Sequence, residues 1–131
     1  MNVAIENWDV YDGETNINRY KSSGFTTYER ENLTNILNEL NLVDVWRSVS
    51  HLHDNNNKGD HDEWKRNGYT FFTSRSRGCC MKKENKGWRL DYFIVSKNIM
   101  QLVKDIEIKR EIGASDHAPL VMTLYHPNYF L

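Results

Sequence analysis

Apolar residues in the first third of the chain follow a helical period. Four of them fall at spacings of three and four and share one face: Leu33, Ile36, Leu37 and Leu40. Thr26 and Glu29 come just before, in the pattern of a capping box, where a hydroxyl and a carboxylate satisfy free amides of the first turn. The sequence therefore predicts a helix beginning near Thr26, followed by a short apolar element over residues 42–46.

The second half of the chain is patterned for strands. Residues 69–73 are aromatic and β-branched, and residues 88–95 alternate between two faces. One face holds Leu90, Tyr92 and Ile94, and the other holds Arg89, Asp91 and Phe93. A helical turn is predicted at 96–101, and further strands at 106–109 and 118–124, with Pro119 near the start of the last one.

Polar segments separate these elements. Residues 9–24 are rich in Gly, Asn, Asp and Ser and are predicted to be a loop, and residues 50–68 form a polar insertion around an asparagine triplet. Residues 1–4 resemble the end of a strand. The prediction is a mixed α/β arrangement in which one helix is too little to cover the sheet, so the chain is expected to be part of a layered fold.

Composition narrows the class of protein only slightly. The chain has 131 residues, 39% of them hydrophobic, and a net charge of −1, which argues against a generally basic nucleic-acid binder. Six cations nevertheless crowd into one segment: Arg75, Arg77, Lys82, Lys83, Lys86 and Arg89. This segment is predicted to contact phosphates or to be a solvated loop. The sequence has no long apolar stretch and no secretory signal, and the adjacent Cys79 and Cys80 are expected to be reduced thiols. We therefore expect an intracellular protein without membrane contact.

Three side chains carry candidate chemistry. Asp116 and His117 stand together before the last predicted strand, where Gly113 and Ala114 permit a turn, and Asp91 lies among hydrophobic residues. A partly buried carboxylate needs a partner, and a histidine ring N–H is a suitable one. We hypothesise that Asp91 orients His117, the alternative being a structural aspartate and an unrelated surface histidine.

Three motifs together resemble a known family. Gly-Trp-Arg-Leu-Asp-Tyr-Phe at 87–93, Ser-Asp-His at 115–117 and Asn-Val-Ala at 2–4 are similar to late motifs of exonuclease III-type abasic-site (AP) endonucleases, within the endonuclease–exonuclease–phosphatase superfamily. The resemblance spans nearly the whole chain apart from the insertion at 50–68. It implies an α/β fold, the C-terminal half of a DNase I-like four-layer α/β sandwich, with residues 1–131 as a partial domain.

The resemblance also implies roles for individual residues. His117, Asp91 and Asn2 resemble the catalytic positions, and Asp116 resembles a metal-site aspartate, with Asn2 and His117 as further metal-site candidates. The implied cofactor is Mg²⁺ or Mn²⁺, a hard cation that neutralises charge on a phosphoryl group. A pocket for the flipped abasic sugar would be formed by Phe71, Trp88 and Leu90, which could instead be ordinary core residues.

The implied activity is phosphodiester hydrolysis 5′ to an abasic site in double-stranded DNA, in the nucleus or alternatively in a mitochondrion or plastid. The family's earlier metal ligands would lie in a missing N-terminal half, so the isolated chain is expected to have little or no activity. Val10–Glu14 departs from the family pattern and lacks a lysine-rich DNA contact. Alternatives are another phosphodiesterase or phosphatase of the superfamily, or a non-catalytic remnant that binds nucleic acid or a protein partner.

Overall fold

A computed structural model describes residues 2–54, 67–72, 86–112 and 115–125. It contains helices α1 (Thr27–Glu39) and α2 (Val45–Asp54) and strands β1 (Leu42–Asp44), β2 (Ile94–Ser96), β3 (Val103–Ile108) and β4 (Leu120–Leu124). Short 3-10 helices lie at Asn7–Asp9, Ile17–Lys21 and Lys97–Leu102. β1 pairs with β2 and β3 pairs with β4, both antiparallel, giving two two-stranded sheets among the described residues. No helix in this part of the chain is long and apolar enough to cross a membrane.

Helix α1 begins as the sequence predicts. The Thr26 hydroxyl accepts a hydrogen bond from the Glu29 amide at 3.3 Å. In return the Glu29 carboxylate accepts from the Thr26 amide at 3.1 Å and from the Gly24 amide at 2.9 Å. The predicted capping box is therefore confirmed. Of the predicted apolar face, Leu33 is buried, whereas Ile36 and Leu40 are 45% and 63% exposed, so the described residues cover only part of it.

The capping carboxylate makes the stability of α1 depend on pH. The hydrogen bond from the Thr26 side chain, with amide hydrogen bonds, lowers the pKa of Glu29 below its ordinary value of 4.5. A depressed pKa in the folded state contributes stability above the unfolded-state pKa, and this contribution is lost as the pH falls through the folded-state pKa. We expect Glu29→Gln to flatten the acid limb of stability below about pH 4.5; unfolding in urea at several pH values measures this, and parallel acid limbs for the two proteins would contradict it.

The strand predictions at 69–73 and 88–95 are largely wrong. In the described parts of these two segments, residues 69–72 and 88–95, regular strand occurs only at β2, which begins at Ile94. The other pairings are single bridges from Phe71 to Trp88 and to His117 and from Val10 to Trp88. The predicted alternation also fails, because three consecutive residues, Trp88, Arg89 and Leu90, are all buried. This segment is surrounded on both faces, so a period of two does not describe it.

Three other expectations differ at their boundaries. Helix α2 continues to Asp54, into the segment predicted to be a polar loop from residue 50, while residues 55–66 lie outside the described residues. Residues 2–5 are not in a strand, although the Ala4 amide donates to the Gly24 carbonyl at 2.7 Å. The turn at 96–101 and the last two strands are confirmed, with ends that differ from the predicted ones by at most three residues.

Two hydrophobic clusters form the core. The larger joins the first residues of the chain to the central segment: Ala4, Val10, Phe25, Trp88 and Leu90, with Tyr20 and Phe71 packed against it. The smaller contains Tyr69, Phe72 and Ala118, with Ile108 beside it. Residues 69–72 therefore contribute to both clusters and lie between them.

A network of buried charges lies beside this core. The Arg89 guanidinium is 2% exposed and donates to both carboxylate oxygens of Asp44, at 2.5 and 2.6 Å. Arg47 binds the buried Asp9 at 2.7 Å and Glu6 at 3.2 Å. Burial lowers the pKa of Arg89, but the charges of Asp44 and Asp9 outweigh it and raise that pKa overall.

This burial corrects one sequence prediction. The sequence places Arg89 with five other cations in a segment predicted to contact phosphates or to be a solvated loop, but the Arg89 side chain is buried and pairs with Asp44. Lys86 is exposed, whereas Arg75, Arg77, Lys82 and Lys83 lie outside the described residues, as do Cys79 and Cys80. Arg89 is thus a structural cation and does not belong to a DNA-binding surface.

Candidate active site

Asp91 and His117 meet although 26 positions separate them in the sequence. The Asp91 Oδ2 atom lies 2.7 Å from His117 Nδ1, within hydrogen-bond distance. The two side chains are 35% and 34% exposed, so the pair is half-buried and reachable from solvent. The predicted contact is confirmed. Because the carboxylate accepts, it favours the tautomer with a proton on Nδ1, and Nε2 is then the ring nitrogen that Asp91 does not engage.

The backbone around His117 is fixed on both sides. The Phe72 amide donates to the Asp116 carbonyl at 2.8 Å, and the Ala118 amide donates to the Thr70 carbonyl at 2.6 Å. The Ser115 hydroxyl accepts from the His117 amide at 3.1 Å, which tightens the turn before the histidine. Residues 113–114, where a permissive turn was expected, lie outside the described residues.

An open cleft of about 370 Å³ lies over the pair. Its walls include Asp91, Tyr92, Ser115, His117 and Pro119. The phenol oxygen of Tyr92 lies within hydrogen-bond distance of the carbonyl oxygens of Val3, at 2.6 Å, and Arg89, at 2.9 Å, which share its one hydrogen, and burial raises the pKa of Tyr92. Tyr92 is therefore a neutral wall residue that ties the first residues of the chain to the site.

The three residues predicted to form the sugar pocket are not equivalent. Trp88 and Leu90 are 8% and 6% exposed and belong to the larger core cluster, which matches the alternative reading of them as ordinary core. Phe71 is half-buried, and its ring centroid lies 5.0 Å from that of His117. Among the three, Phe71 is the residue that the structure places against the candidate catalytic histidine.

Asn2 and Asp116 are both exposed. Asn2 precedes Val3, whose carbonyl binds Tyr92, and its own carbonyl is packed against Gly24. Gly24 has φ of +84°, and an added Cβ there would lie 2.5 Å from the Asn2 oxygen, so only glycine fits this approach. The Asp116 carboxylate accepts from the Ser115 hydroxyl at 3.3 Å. The predicted roles of Asn2 and Asp116 stay predictions.

The described residues do not assemble a complete set of metal ligands. No group of three or more His, Cys, Asp or Glu side chains within them is placed to hold an ion. Asp91 is engaged by His117, and Asp116, the neighbour of His117 in the sequence, accepts a hydrogen bond at its carboxylate from the Ser115 hydroxyl. A hard divalent cation prefers several oxygen ligands, and this part of the chain supplies too few of them to define its position.

Sequence reasoning missed Thr70, which is fully buried. Its hydroxyl accepts from the amides of Leu90 and Asp91, each at 3.1 Å. A threonine in an aromatic and β-branched run is expected in any strand, so nothing in the sequence distinguishes it. Its importance is visible only when the segments at 70, 91 and 117 are brought together.

Known proteins with similar sequences and folds are DNA nucleases. Over 121 residues the chain is 36% identical to a DNA-(apurinic or apyrimidinic site) endonuclease of Dictyostelium discoideum, covering 92% of this chain and 28% of that protein. The AP endonuclease LMAP of Leishmania major superposes with a TM-score of 0.74 at 30% identity, over 95% of this chain and 33% of the other. The 3′ phosphatase NExo of Neisseria, bound to a product DNA hairpin, gives 0.69 at 26% identity, over 95% and 42%.

These matches define the relationship and its extent. No protein-family model matches the chain. The chain spans about a quarter to two fifths of the lengths of these three relatives, while nearly all of its own residues are aligned. Its mixed helices and strands are those of a DNase I-like α/β fold. The chain is thus similar in sequence and fold to AP endonucleases, and it corresponds to one portion of their length.

Proposed function

We propose that this chain forms part of a DNA repair endonuclease that hydrolyses the phosphodiester bond 5′ to an abasic site in double-stranded DNA. The observation that carries the proposal is the Asp91–His117 pair, held at 2.7 Å and open to a cleft. Two similar proteins also support the proposal, because the Dictyostelium protein and LMAP of Leishmania major are both named AP endonucleases. The remaining portion of such an enzyme would lie outside the matched length.

His117 is the residue proposed to meet the phosphate. His117 lines the cleft and its Nδ1 is engaged by Asp91, so Nε2 is the ring nitrogen left to donate to a phosphoryl oxygen when protonated or to accept a proton when neutral. The Asp91 carboxylate fixes the orientation of the ring through this hydrogen bond. Charge developing on the phosphoryl oxygens in the transition state is the feature that such a group stabilises.

The proposed metal is Mg²⁺ or Mn²⁺, which when bound would neutralise charge on the phosphate and leaving group. From this chain, Asp116 is the proposed carboxylate ligand, because it is exposed and follows the Ser115 turn beside the cleft. Asn2 and His117 remain further candidates. Further oxygen ligands would come from outside the described residues.

Selectivity for an abasic nucleotide is proposed to depend on size. Turning such a nucleotide outward costs less than turning out a normal one, because no base has to be unstacked. Phe71 lies against His117 and supplies an apolar wall for a bare sugar. Trp88 and Leu90 pack behind Phe71 in the core, so they are proposed to support this wall without contacting the sugar themselves.

The proposal is tested by exchanging the matching portion of the Dictyostelium endonuclease for this chain. We expect the hybrid to nick an abasic duplex in the presence of Mg²⁺ and to leave an intact duplex uncut, while the 131-residue chain alone shows little or no cleavage. Phosphoinositide hydrolysis is the second arm. Turnover of the lipid without nicking would replace the proposed substrate, and a folded hybrid inactive on both would indicate a non-catalytic binding role.

A further inference from the structure

We infer that Thr70 is a positioning residue that sets the geometry of the Asp91–His117 pair through its side-chain hydroxyl. This inference rests on the proposed function for its catalytic meaning, although its structural content can be tested separately. Three features of Thr70 carry it: complete burial, an acceptor shared by two amides, and backbone hydrogen bonds to both segments of the site.

The shared acceptor explains the backbone shape at Asp91. The Thr70 Oγ1 atom accepts from the successive amides of Leu90 and Asp91, at 3.1 Å each. In an extended strand, successive N–H groups point to opposite sides, so one oxygen cannot bind both. The chain must therefore turn at these two residues, and regular strand resumes only at Ile94. That turn determines the direction in which the Asp91 carboxylate leaves the backbone.

The main chain of Thr70 helps to hold the segment that carries His117. The Thr70 carbonyl accepts from the Ala118 amide at 2.6 Å, and two residues later the Phe72 amide donates to the Asp116 carbonyl at 2.8 Å. These bonds flank His117 on both sides, and the Phe71 ring lies 5.0 Å from the imidazole. Residues 70–72 thus form a template to which both members of the pair are attached.

The hydroxyl is the separable part of this arrangement. Thr70→Val keeps the shape of the side chain and the backbone bonds but leaves the Leu90 and Asp91 amides buried without their acceptor. Thr70→Ser keeps the hydroxyl and loses one methyl group. If Thr70 only fills space, valine is the better replacement, whereas serine is better if the hydroxyl positions Asp91.

Nuclear magnetic resonance on the complete 131-residue chain is the direct test. In Thr70→Val we expect the Leu90 and Asp91 amides to exchange about tenfold faster or more, with α1 amides unchanged. We also expect loss of the slowly exchanging His117 Nδ1–H signal, while Thr70→Ser retains it. An unchanged Nδ1–H signal in Thr70→Val, or equal losses in both variants, would overturn the inference. If Thr70→Val does not fold, Thr70→Ala against Thr70→Ser isolates the same hydroxyl.

The hybrid endonuclease then tests the link to catalysis. Thr70→Val should lower the rate of abasic-strand cleavage about 10- to 100-fold, with recovery in Thr70→Ser. In an enzyme that already carries Asp91→Ala, adding Thr70→Val should lower the cleavage rate by less than about twofold, because Thr70 acts through Asp91. Additive losses would overturn the positioning role. Failure of the proposed function would appear differently, as absence of cleavage by the unsubstituted hybrid while the resonance results still hold.

Discussion

His117→Ala is expected to lower abasic-strand cleavage by about 10²- to 10⁴-fold, the contribution typical of a positioned acid–base group. The histidine lines the cleft, and its Nδ1 atom lies 2.7 Å from Asp91. Asp91→Asn should cost less, about 10- to 100-fold, by analogy with carboxylates that orient metal-bound histidines. Single-turnover nicking of an abasic duplex by the hybrid endonuclease measures both effects.

The matched control for Asp91→Asn is Glu107→Gln. It removes the same charge from an exposed position on β3, where Glu107 pairs with Lys109 and does not line the cleft. Its rate should stay within about twofold of the parent. If His117→Ala also stayed within that margin while remaining folded, the pair would be structural and the proposed chemistry would have to be abandoned.

Arg89→Met is expected to reduce the free energy of unfolding by about 3–5 kcal/mol, the cost of removing one partner from a buried ion pair. The guanidinium binds Asp44 through two hydrogen bonds of 2.5 and 2.6 Å and lies 3.8 Å from Asp9 at its second nitrogen. Methionine replaces the apolar stem of the arginine but not its guanidinium, and it leaves the buried Asp44 carboxylate with only the longer, 3.6 Å contact to Arg47 as its ion pair. Urea unfolding of the 131-residue chain measures the loss.

Two comparisons make this prediction specific. Lys109→Met breaks an exposed pair with Glu107 and should change stability much less. Removing both charges, in Arg89→Met with Asp44→Leu, should recover part of the loss, because no unpaired carboxylate then remains at that position. A double variant no more stable than Arg89→Met would show that packing of the arginine stem, and not its charge, is the stabilising contribution.

Local interactions were predictable from the sequence. The capping box of α1 involves residues three apart, so Thr26 and Glu29 identify it without knowledge of the rest of the molecule. The Asp91–His117 contact was predictable for a different reason: a carboxylate in an apolar segment needs a partner, and few candidates of suitable chemistry exist. In both cases one polar group needed a hydrogen-bond partner, and this need limited which residue the partner could be.

Burial and hydrogen bonding that depend on residues distant in the sequence were not predictable. Arg89 appeared to lie on the polar face of an alternating strand, but Asp44, 45 positions away, makes its burial possible. The strand patterns at 69–73 and 88–95 were not realised as regular pairing, since Thr70 satisfies two amides with a side chain where a ladder would use backbone carbonyls. Helix α2 was missed because its polar residues resemble the insertion that follows.

The template formed by residues 70–72 has a consequence for how activity would be lost on heating. Residues 70–72 bind Asp91 on one side and the Asp116–Ala118 segment on the other. Local unfolding that breaks these hydrogen bonds therefore separates Asp91 from His117. Helix α1 carries its own cap and need not open at the same time. Inactivation would then precede the loss of helical signal, and the working temperature of the enzyme would be limited by a short central segment well before global unfolding.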